Sequence, residues 1–141
     1  MSTNIVIVSL TLDDVLAIRQ KVLWPNLSMS CCIIDGDHDA MHYGAIVDNS
    51  LVSVASVFID NDEACLRKFA TLPSFQGRGI GSFLVKSILT DLTMKQVHLF
   101  WCDARETAVS FYEKLGMTVS SERYYKQDIP CVKMTMTINN S

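Results

Sequence analysis

The sequence lacks the excess of basic residues that most nucleic-acid-binding domains carry. Its 12 lysines and arginines are scattered along the chain and are outnumbered by 15 aspartates and glutamates, which gives a net charge of −3 at pH 7. A basic stripe or patch is the usual footprint of nucleic-acid binding, and none is visible here. We therefore expect no nucleic-acid partner.

Long hydrophobic runs are also missing. A membrane-spanning helix needs about 20 consecutive apolar residues, and no segment of the sequence approaches that length. The opening stretch, MSTNIVIVSL, contains no basic residue, and its apolar run is too short for a secretory signal. These features predict a cytoplasmic protein with no membrane partner.

Cysteine pairs with the spacing of a metal knuckle are absent as well. The chain has five cysteines, an odd number, and reduced thiols in a cytoplasm are the simplest interpretation. The segment DGDHDAMHYG (35–44) imitates the start of a calcium loop, but Ala40 and Ile46 stand where that loop requires glycine and glutamate. We expect no metal site, and a polar loop that borders a ligand cleft is the better interpretation of this segment.

The composition that remains is that of one folded domain. The chain has 141 residues, of which 49% are hydrophobic and 19% are charged, and this length suits a single hydrophobic core. No internal repeat and no linker-like stretch divides it. We expect one domain over residues 1–141.

Hydrophobic periodicity predicts the order β-α-β-β-β-α-β-α-β-β, which is typical of a mixed α/β domain. The predicted helices follow Thr11 up to Pro25, run from Ile80 to Leu92, and span residues 105–115. The unit from residue 63 to residue 101 should be a right-handed crossover that joins two parallel strands. The predicted strands are residues 4–9, 42–47, 51–59, 63–70, 97–101, 117–120 and 132–138.

The stretch SFQGRGIGSFLVK (74–86) places three glycines on alternate positions directly before a helix. Such a loop exposes backbone N–H groups to a negative ligand, at the strand end where ligands of open α/β sheets bind. A dinucleotide fingerprint would need glycine at Ser82, and a nucleotide-triphosphate loop would need glycine at Val85. Both interpretations fit poorly.

Two motifs together resemble the GNAT superfamily of N-acetyltransferases. Residues 76–81, QGRGIG, match the pattern [QR]-x-x-G-x-[GA], and AVSFYEKLGM (108–117) is similar to A-x-x-F-Y-x-K-x-G-F with Met117 in place of phenylalanine. The resemblance is strongest over residues 63–120 and points to a small single-domain bacterial-type member. It implies a mixed, mostly antiparallel twisted sheet with a central parallel βαβ crossover and splayed strands.

The activity that the resemblance implies is transfer of an acetyl group from acetyl-CoA to a primary amine by direct attack, without a metal. The acceptor is a small molecule or a peptide that the sequence does not identify, and a homodimer is among the assemblies implied. Two alternatives stay open, because the glutamate of the best-known members is missing. They are a CoA-binding regulatory module without turnover and an acyltransferase that uses another acyl group.

The resemblance also assigns residues to the cofactor. Backbone N–H groups at the positive end of a helix meet a pyrophosphate without a bulky side chain in the way. The N–H of about Phe69 polarises the thioester carbonyl and stabilises the developing oxyanion. Asp103 either contacts the cofactor arm or caps the next helix. The cofactor-binding residues expected are Phe69, Ala70, Thr71, Gln76, Gly77, Arg78, Gly79, Ile80, Gly81, Ser82 and Asp103.

The expected catalytic residues are Tyr112 and Glu63. Tyr112 matches the family tyrosine that hydrogen-bonds the departing thiolate and protonates it; its alternative role is core packing. The glutamate base of the best-known members falls on Cys65 in this chain. Glu63 lies two residues earlier on the same strand face and is the candidate base, acting directly or through water, although a solvated carboxylate is an equal interpretation. Glu122 is another candidate.

Overall fold

The fold is built on one mixed sheet, seen in a computed structural model that describes residues 4–138. Residues 1–3 and 139–141 of the expected domain lie outside the described residues. The helices are α1 (Leu12–Val22), α2 (Ile80–Thr93) and α3 (Val109–Lys114). The strands are β1 (Ile5–Leu10), β2 (Met41–Val47), β3 (Ser50–Asp60), β4 (Glu63–Thr71), β5 (Leu99–Arg105), β6 (Thr118–Val119), β7 (Tyr124–Lys126) and β8 (Ile129–Thr137).

The strand order is β1-β2-β3-β4-β5-β8-β6, with β7 paired to the start of β8. Every paired neighbour is antiparallel except β4 and β5, which are parallel and joined through α2. This arrangement confirms the parallel pairing of the two strands in the predicted crossover and the mixed, mostly antiparallel sheet. The glycine loop therefore lies between the C-terminal end of β4 and the start of α2.

The two faces of the sheet are covered unequally. On one face, α2 and α3 pack on residues such as Leu66 and Phe100 in the largest hydrophobic cluster. On the other face, α1 covers Val54 and Ala70, and its Arg19 reaches Ser56 of β3. Among the described residues, no helix combines the length and hydrophobicity that crossing a membrane requires.

The polar segment between α1 and β2 is fixed by a buried ion pair. Arg19 and Asp37 are 0% and 1% exposed, and the guanidinium donates to both carboxylate oxygens at 2.7 and 2.8 Å. The same guanidinium donates to Ser56 Oγ at 2.9 Å, and His42 Nδ1 lies 2.7 Å from that hydroxyl. Asp37 is thus an internal ion-pair partner, and no group of residues able to hold a metal ion is found among residues 4–138.

The structure corrects the bounds of two predicted elements near the C-terminus and adds a strand that was not predicted. β5 begins at Leu99 and continues to Arg105, because it pairs with β8 along its whole length, whereas the predicted strand covered 97–101. α3 begins only at Val109, after a single 3-10 turn. β7 was not predicted, since its three residues are too few to show a periodic pattern.

Candidate active site

A cleft opens where β4 and β5 separate. The two strands pair only at Glu63 with Leu99, Ala64 with Phe100 and Cys65 with Trp101, although each continues well beyond these pairs. The space between their C-terminal halves is a cleft of about 1130 Å³. Its walls are the second half of β4, the glycine loop, the end of β5, one side of α3, the end of α1 with Trp24, and the turn between β7 and β8.

A β-bulge shapes the β4 wall of this cleft. Val54 pairs with Ala70 and Ser56 pairs with Arg67, so both Lys68 and Phe69 stand opposite Ala55. Lys68 adopts a φ of 53°, and a bulge of this kind leaves one residue without its ladder partner. The backbone around Phe69 therefore has a polar group that the sheet does not use, and Phe69 lines the cleft.

The glycine loop forms a cradle of backbone groups at one end of the cleft. Gly77 and Gly79 have φ angles of 74° and 79°, and a Cβ added to either would meet nothing within 4 Å. Gly79 is the N-cap of α2 and offers no side chain to the first turn. The N–H groups of that turn have no partners within the helix, and the helix dipole makes this end positive. The loop is therefore suited to an anion.

Gly81 serves a different purpose from the other two glycines. A Cβ at this position would lie 2.7 Å from the Phe69 ring, so glycine allows α2 to approach the bulge of β4. Phe69 in turn stacks on Phe111 of α3, with ring centroids 5.7 Å apart. The cradle, the bulge and α3 are held together by these contacts.

The remaining predicted loop residues differ in how they are placed relative to the cleft. Gln76 donates from Nε2 to the Thr71 carbonyl at 2.9 Å, which ties the loop to the end of β4. Ser82 lines the cleft. Ile80 has a buried side chain in the core, packed with Val47 and Val52, so only its backbone is available to a ligand. Arg78 lies over the Phe75 ring at 5.2 Å and does not line the cleft.

Tyr112 of α3 is 8% exposed and lines the cleft beside Cys102 of β5. Burial, and then the hydrogen bond and charge interaction with Cys102, raise the pKa of Tyr112 well above its ordinary value. The hydroxyl therefore keeps its proton at neutral pH. It is a proton donor that faces the same space as the bulge and the cradle.

Asp103 is held by two residues of β7. Its carboxylate accepts hydrogen bonds from the Tyr124 hydroxyl and from Lys126 Nζ at 2.7 Å. Burial alone raises the pKa of Asp103, but these two hydrogen bonds and the Lys126 charge outweigh it and hold the pKa below its ordinary value. Asp103 does not cap the following helix, since neither the 3-10 turn nor α3 has a side-chain cap.

Glu63 lies apart from these groups. It is an exposed residue at the start of β4, six residues before Phe69, which is about 20 Å along an extended strand. Glu63 lines a second cavity of about 390 Å³, together with Cys65 and Trp101. The structure therefore brings Tyr112, Phe69 and the glycine loop together but does not bring Glu63 to them. Glu122 is exposed in the connection before β7.

Arg67 is a site residue that the sequence analysis missed. It lines the second cavity and the main cleft, and Asp103 is the other residue that lines both. The only sequence signal for Arg67 is its position two residues after Cys65, which places both side chains on one face of β4. The bulge that directly follows Arg67 has no signature in the sequence.

Comparison with known proteins identifies the family of this chain. A family model described as an acetyltransferase (GNAT) domain matches residues 28–138. An uncharacterized N-acetyltransferase, YitI of Bacillus subtilis, is 30% identical over 131 residues, which is 86% of each chain. The chain belongs to the GNAT acetyltransferase family and is an acyltransferase.

Solved structures show the same fold. The ribosomal-protein-S18-alanine N-acetyltransferase of Escherichia coli superposes with a TM-score of 0.80 and 22% identity, over 96% of this chain and 94% of that one. A GNAT acetyltransferase of Elizabethkingia anophelis, solved with acetyl-CoA bound, gives a TM-score of 0.71 and 18% identity, over 95% and 98% of the two chains. At sequence identities of 22% and 18%, these superpositions show that the chains share a fold.

Proposed function

We propose that this acyltransferase moves an acetyl group from acetyl-CoA to a primary amine by direct attack. The observation that carries the proposal is that the glycine cradle, the β4 bulge and the protonated Tyr112 all line one cleft. These groups match three needs of the reaction, which are an anion site, an oxyanion donor and a proton for the leaving group.

The cradle suits the pyrophosphate of coenzyme A. Gly77 and Gly79 leave the space beside their backbone open, so a bulky phosphate can approach the N–H groups of the first turn of α2. From there the cofactor arm would follow Thr71 and Ala70 along β4 to Phe69. Acetyl-CoA supplies an activated thioester at the end of that arm.

Phe69 and Tyr112 would act on the two sides of the thioester. The N–H of Phe69 would donate to the carbonyl oxygen as negative charge develops there. As the amine nitrogen bonds to the carbonyl carbon and the C–S bond breaks, Tyr112 would give its proton to the departing sulfur. The proton lost by the nitrogen passes to water, from which Tyr112 is reprotonated.

The general base is not the glutamate that the best-known members use. Cys65 stands where the best-known members have glutamate, and burial raises its pKa to about 11, so the neutral thiol is not a base at pH 7. Glu63 remains the proposed base, and its distance from Phe69 favours proton transfer through water over direct contact. An acceptor that binds as the free amine does not need a general base to remove a proton before it attacks.

A CoA-binding module without turnover is the second candidate, and the thiol at Cys65 is the observation that favours it.

The proposed location is the cytoplasm, because all five cysteines are free thiols and structural disulfides are rare there. The related S18-alanine enzyme is named for an amine acceptor on a protein. That name supports an amine acceptor here without identifying it.

The decisive experiment compares Tyr112→Phe with Tyr125→Phe, a matched change at a tyrosine that is 63% exposed. Thiol release from acetyl-CoA is followed with a panel of amino acids, polyamines and peptides. We expect Tyr112→Phe to lower kcat by about 100-fold, which is the usual loss of one general acid. Tyr125→Phe should retain the wild-type rate.

Calorimetry with CoA separates the two candidates. CoA binding with turnover that depends on Tyr112 supports the enzyme. CoA binding without thiol release for any amine, or turnover that Tyr112→Phe leaves intact, would contradict the proposed chemistry. A chain that does not bind CoA would contradict both candidates.

A further inference from the structure

Positive charge is concentrated around the cleft. Of the residues that the structure describes, five cationic side chains line it against a single carboxylate, that of Asp103, although the chain as a whole has a net charge of −3. Among residues 4–138, Lys126 is the only one of the five in an ion pair, and its partner is Asp103. The five are Arg67, Lys68, Arg105, Lys114 and Lys126.

Two of these cations lie on aromatic rings at the bulge. The Lys68 ammonium is 4.5 Å from the centroid of the Trp24 ring, and the Arg67 guanidinium is 5.6 Å from that of Phe58. Burial, and then the charges of Arg67 and other cations, lower the pKa of Lys68. Two cations on neighbouring residues that line one cleft are stabilised when an anion binds there.

The phosphates of coenzyme A are in the wrong place to be that anion. The cradle for the pyrophosphate lies at residues 77–82, and the proposed thioester position is at Phe69. Arg67 lies two residues before Phe69 in β4. It is about 7 Å from the proposed thioester position, on the side away from the cradle. An anion bound by Arg67 and Lys68 therefore belongs to the acceptor.

The junction between the two cavities has both signs of charge. Arg67 and Asp103 line the main cleft and the second cavity alike. Asp103 keeps its charge because Lys126 and Tyr124 hold it in the ionised form. A guanidinium and a carboxylate that face one opening are complementary to a ligand that has an amine and a carboxylate close together.

We propose that the acceptor is a free α-amino acid, whose carboxylate is bound by Arg67 and Lys68 and whose amine donates a hydrogen bond to Asp103. This inference rests on the proposed acetyl transfer and names its substrate class. Asp103 and Arg67 are binding residues in it, while Phe69 and Tyr112 keep the roles given above.

The second cavity would hold the amino-acid side chain. It is lined by the half-buried rings of Phe58 and Trp101 and by the exposed carboxylates of Asp60 and Glu63. Aromatic walls favour apolar side chains, and the two carboxylates favour cationic ends over anionic ones. L-phenylalanine and L-arginine should therefore be better acceptors than L-glutamate.

The test compares L-phenylalanine with L-phenylalaninamide, which keeps the amine and side chain but has no carboxylate. We expect kcat/KM to be at least about tenfold higher for the amino acid, a difference that one charged contact supplies. The lower pKa of the amide's amine leaves a larger fraction of it as the free amine at pH 7, so the comparison is biased against the proposal. Phenethylamine is the second comparator.

Arg67→Met should reduce the ratio between the two substrates to below about threefold, chiefly through a higher KM for L-phenylalanine. Arg67→Lys, which keeps the charge but lacks the two-pronged geometry, should give an intermediate ratio. The exposed Lys95→Met is the matched control and should leave the ratio unchanged. CoA affinity, measured by calorimetry, reports whether each variant is folded.

Equal or better acetylation of the amide or of phenethylamine would overturn the amino-acid proposal while leaving the acetyltransferase proposal in place. A wild-type ratio in folded Arg67→Met would overturn the role of Arg67 and the substrate class with it. Absence of thiol release with every amine would overturn the proposed function itself, which is a different result from either.

Discussion

Arg19 and Asp37 are the most deeply buried charged pair among the described residues, and they fix the segment between α1 and β2. No residue of the stretch 35–44 lines the cleft, so the predicted polar loop at the border of the ligand cleft is not found there. Burial alone raises the pKa of Asp37, but the hydrogen bonds from Arg19 and from the Ile34 N–H, at 2.7 Å each, lower it below its ordinary value of 3.8. A carboxylate with a lowered folded pKa stabilises the fold above its unfolded pKa. That stabilisation is lost as pH falls through the folded pKa.

Asp37→Asn should therefore have two effects in urea denaturation. At pH 7 it should cost about 3–5 kcal/mol of unfolding free energy, because the Arg19 charge stays buried without its partner. Below pH 4 the unfolding free energy of the wild type should fall as Asp37 becomes protonated, so the difference in unfolding free energy between wild type and variant should become smaller. The exposed neighbour Asp35→Asn is the control, and an equal loss in that variant would contradict the assignment.

Among the secondary-structure elements, α2 depends most directly on the glycine loop. Its N-cap, Gly79, has a left-handed conformation that only glycine adopts without strain. An added methyl group has room in the absence of ligand but would occupy the space where a phosphate approaches. A substitution of Gly79 should therefore weaken ligand binding more than it destabilises the fold.

Gly79→Ala and Gly116→Ala form a matched pair for this prediction. Both glycines have positive φ, 79° and 101°, and each alanine should cost about 1 kcal/mol of stability from backbone strain. Only Gly79→Ala should weaken CoA binding, by about tenfold or more in calorimetry. Equal CoA affinity in the two variants would remove the glycine cradle from the proposed site.

β7 is a short element with a large effect on the site. Its pairing with β8 brings Tyr124 and Lys126 over Asp103, across more than 20 residues of sequence. This contact keeps Asp103 ionised at the junction of the two cavities. A three-residue strand thus determines the charge at the proposed acceptor position.

The molecule as a whole is divided by the separation of β4 and β5. The two halves of the sheet are joined only at the three residue pairs before the cleft, and elsewhere α2 and α3 bridge the gap through the largest cluster. A ligand that fills the cleft contacts both halves and binds only the folded chain. It should therefore stabilise the whole fold.

CoA at 100 times its Kd should add about 2.7 kcal/mol of stability and raise Tm by on the order of 10 °C. Differential scanning calorimetry over a series of CoA concentrations measures this, and Tm should rise with the logarithm of concentration. NAD, which also has a pyrophosphate, is the comparison. A similar rise with NAD would favour a dinucleotide site over a CoA site.

Local sequence was sufficient for most elements and for the glycine loop. The Thr11 cap and the helix after it, the helix from Ile80, and the alternation in 132–138 depend on neighbours within a few residues, and the structure confirms all of them. The predicted end of β5 at residue 101 was wrong. The strand continues to Arg105 because it pairs with β8, which is about 30 residues away in the sequence. The role of Asp103 was left open for the same reason.

The chain's amino acids alone specify which backbone groups can meet an anion, since Gly77 and Gly79 allow left-handed conformations whatever surrounds them. They also specify the core face of each strand and helix through periodicity. Only the tertiary structure decides where β4 leaves β5, that a bulge turns Lys68 and Phe69 towards the cleft, and that Arg67 and Asp103 face one opening. These features arise from pairings between distant segments, whose register is set by packing of the whole sheet, so no local pattern records them.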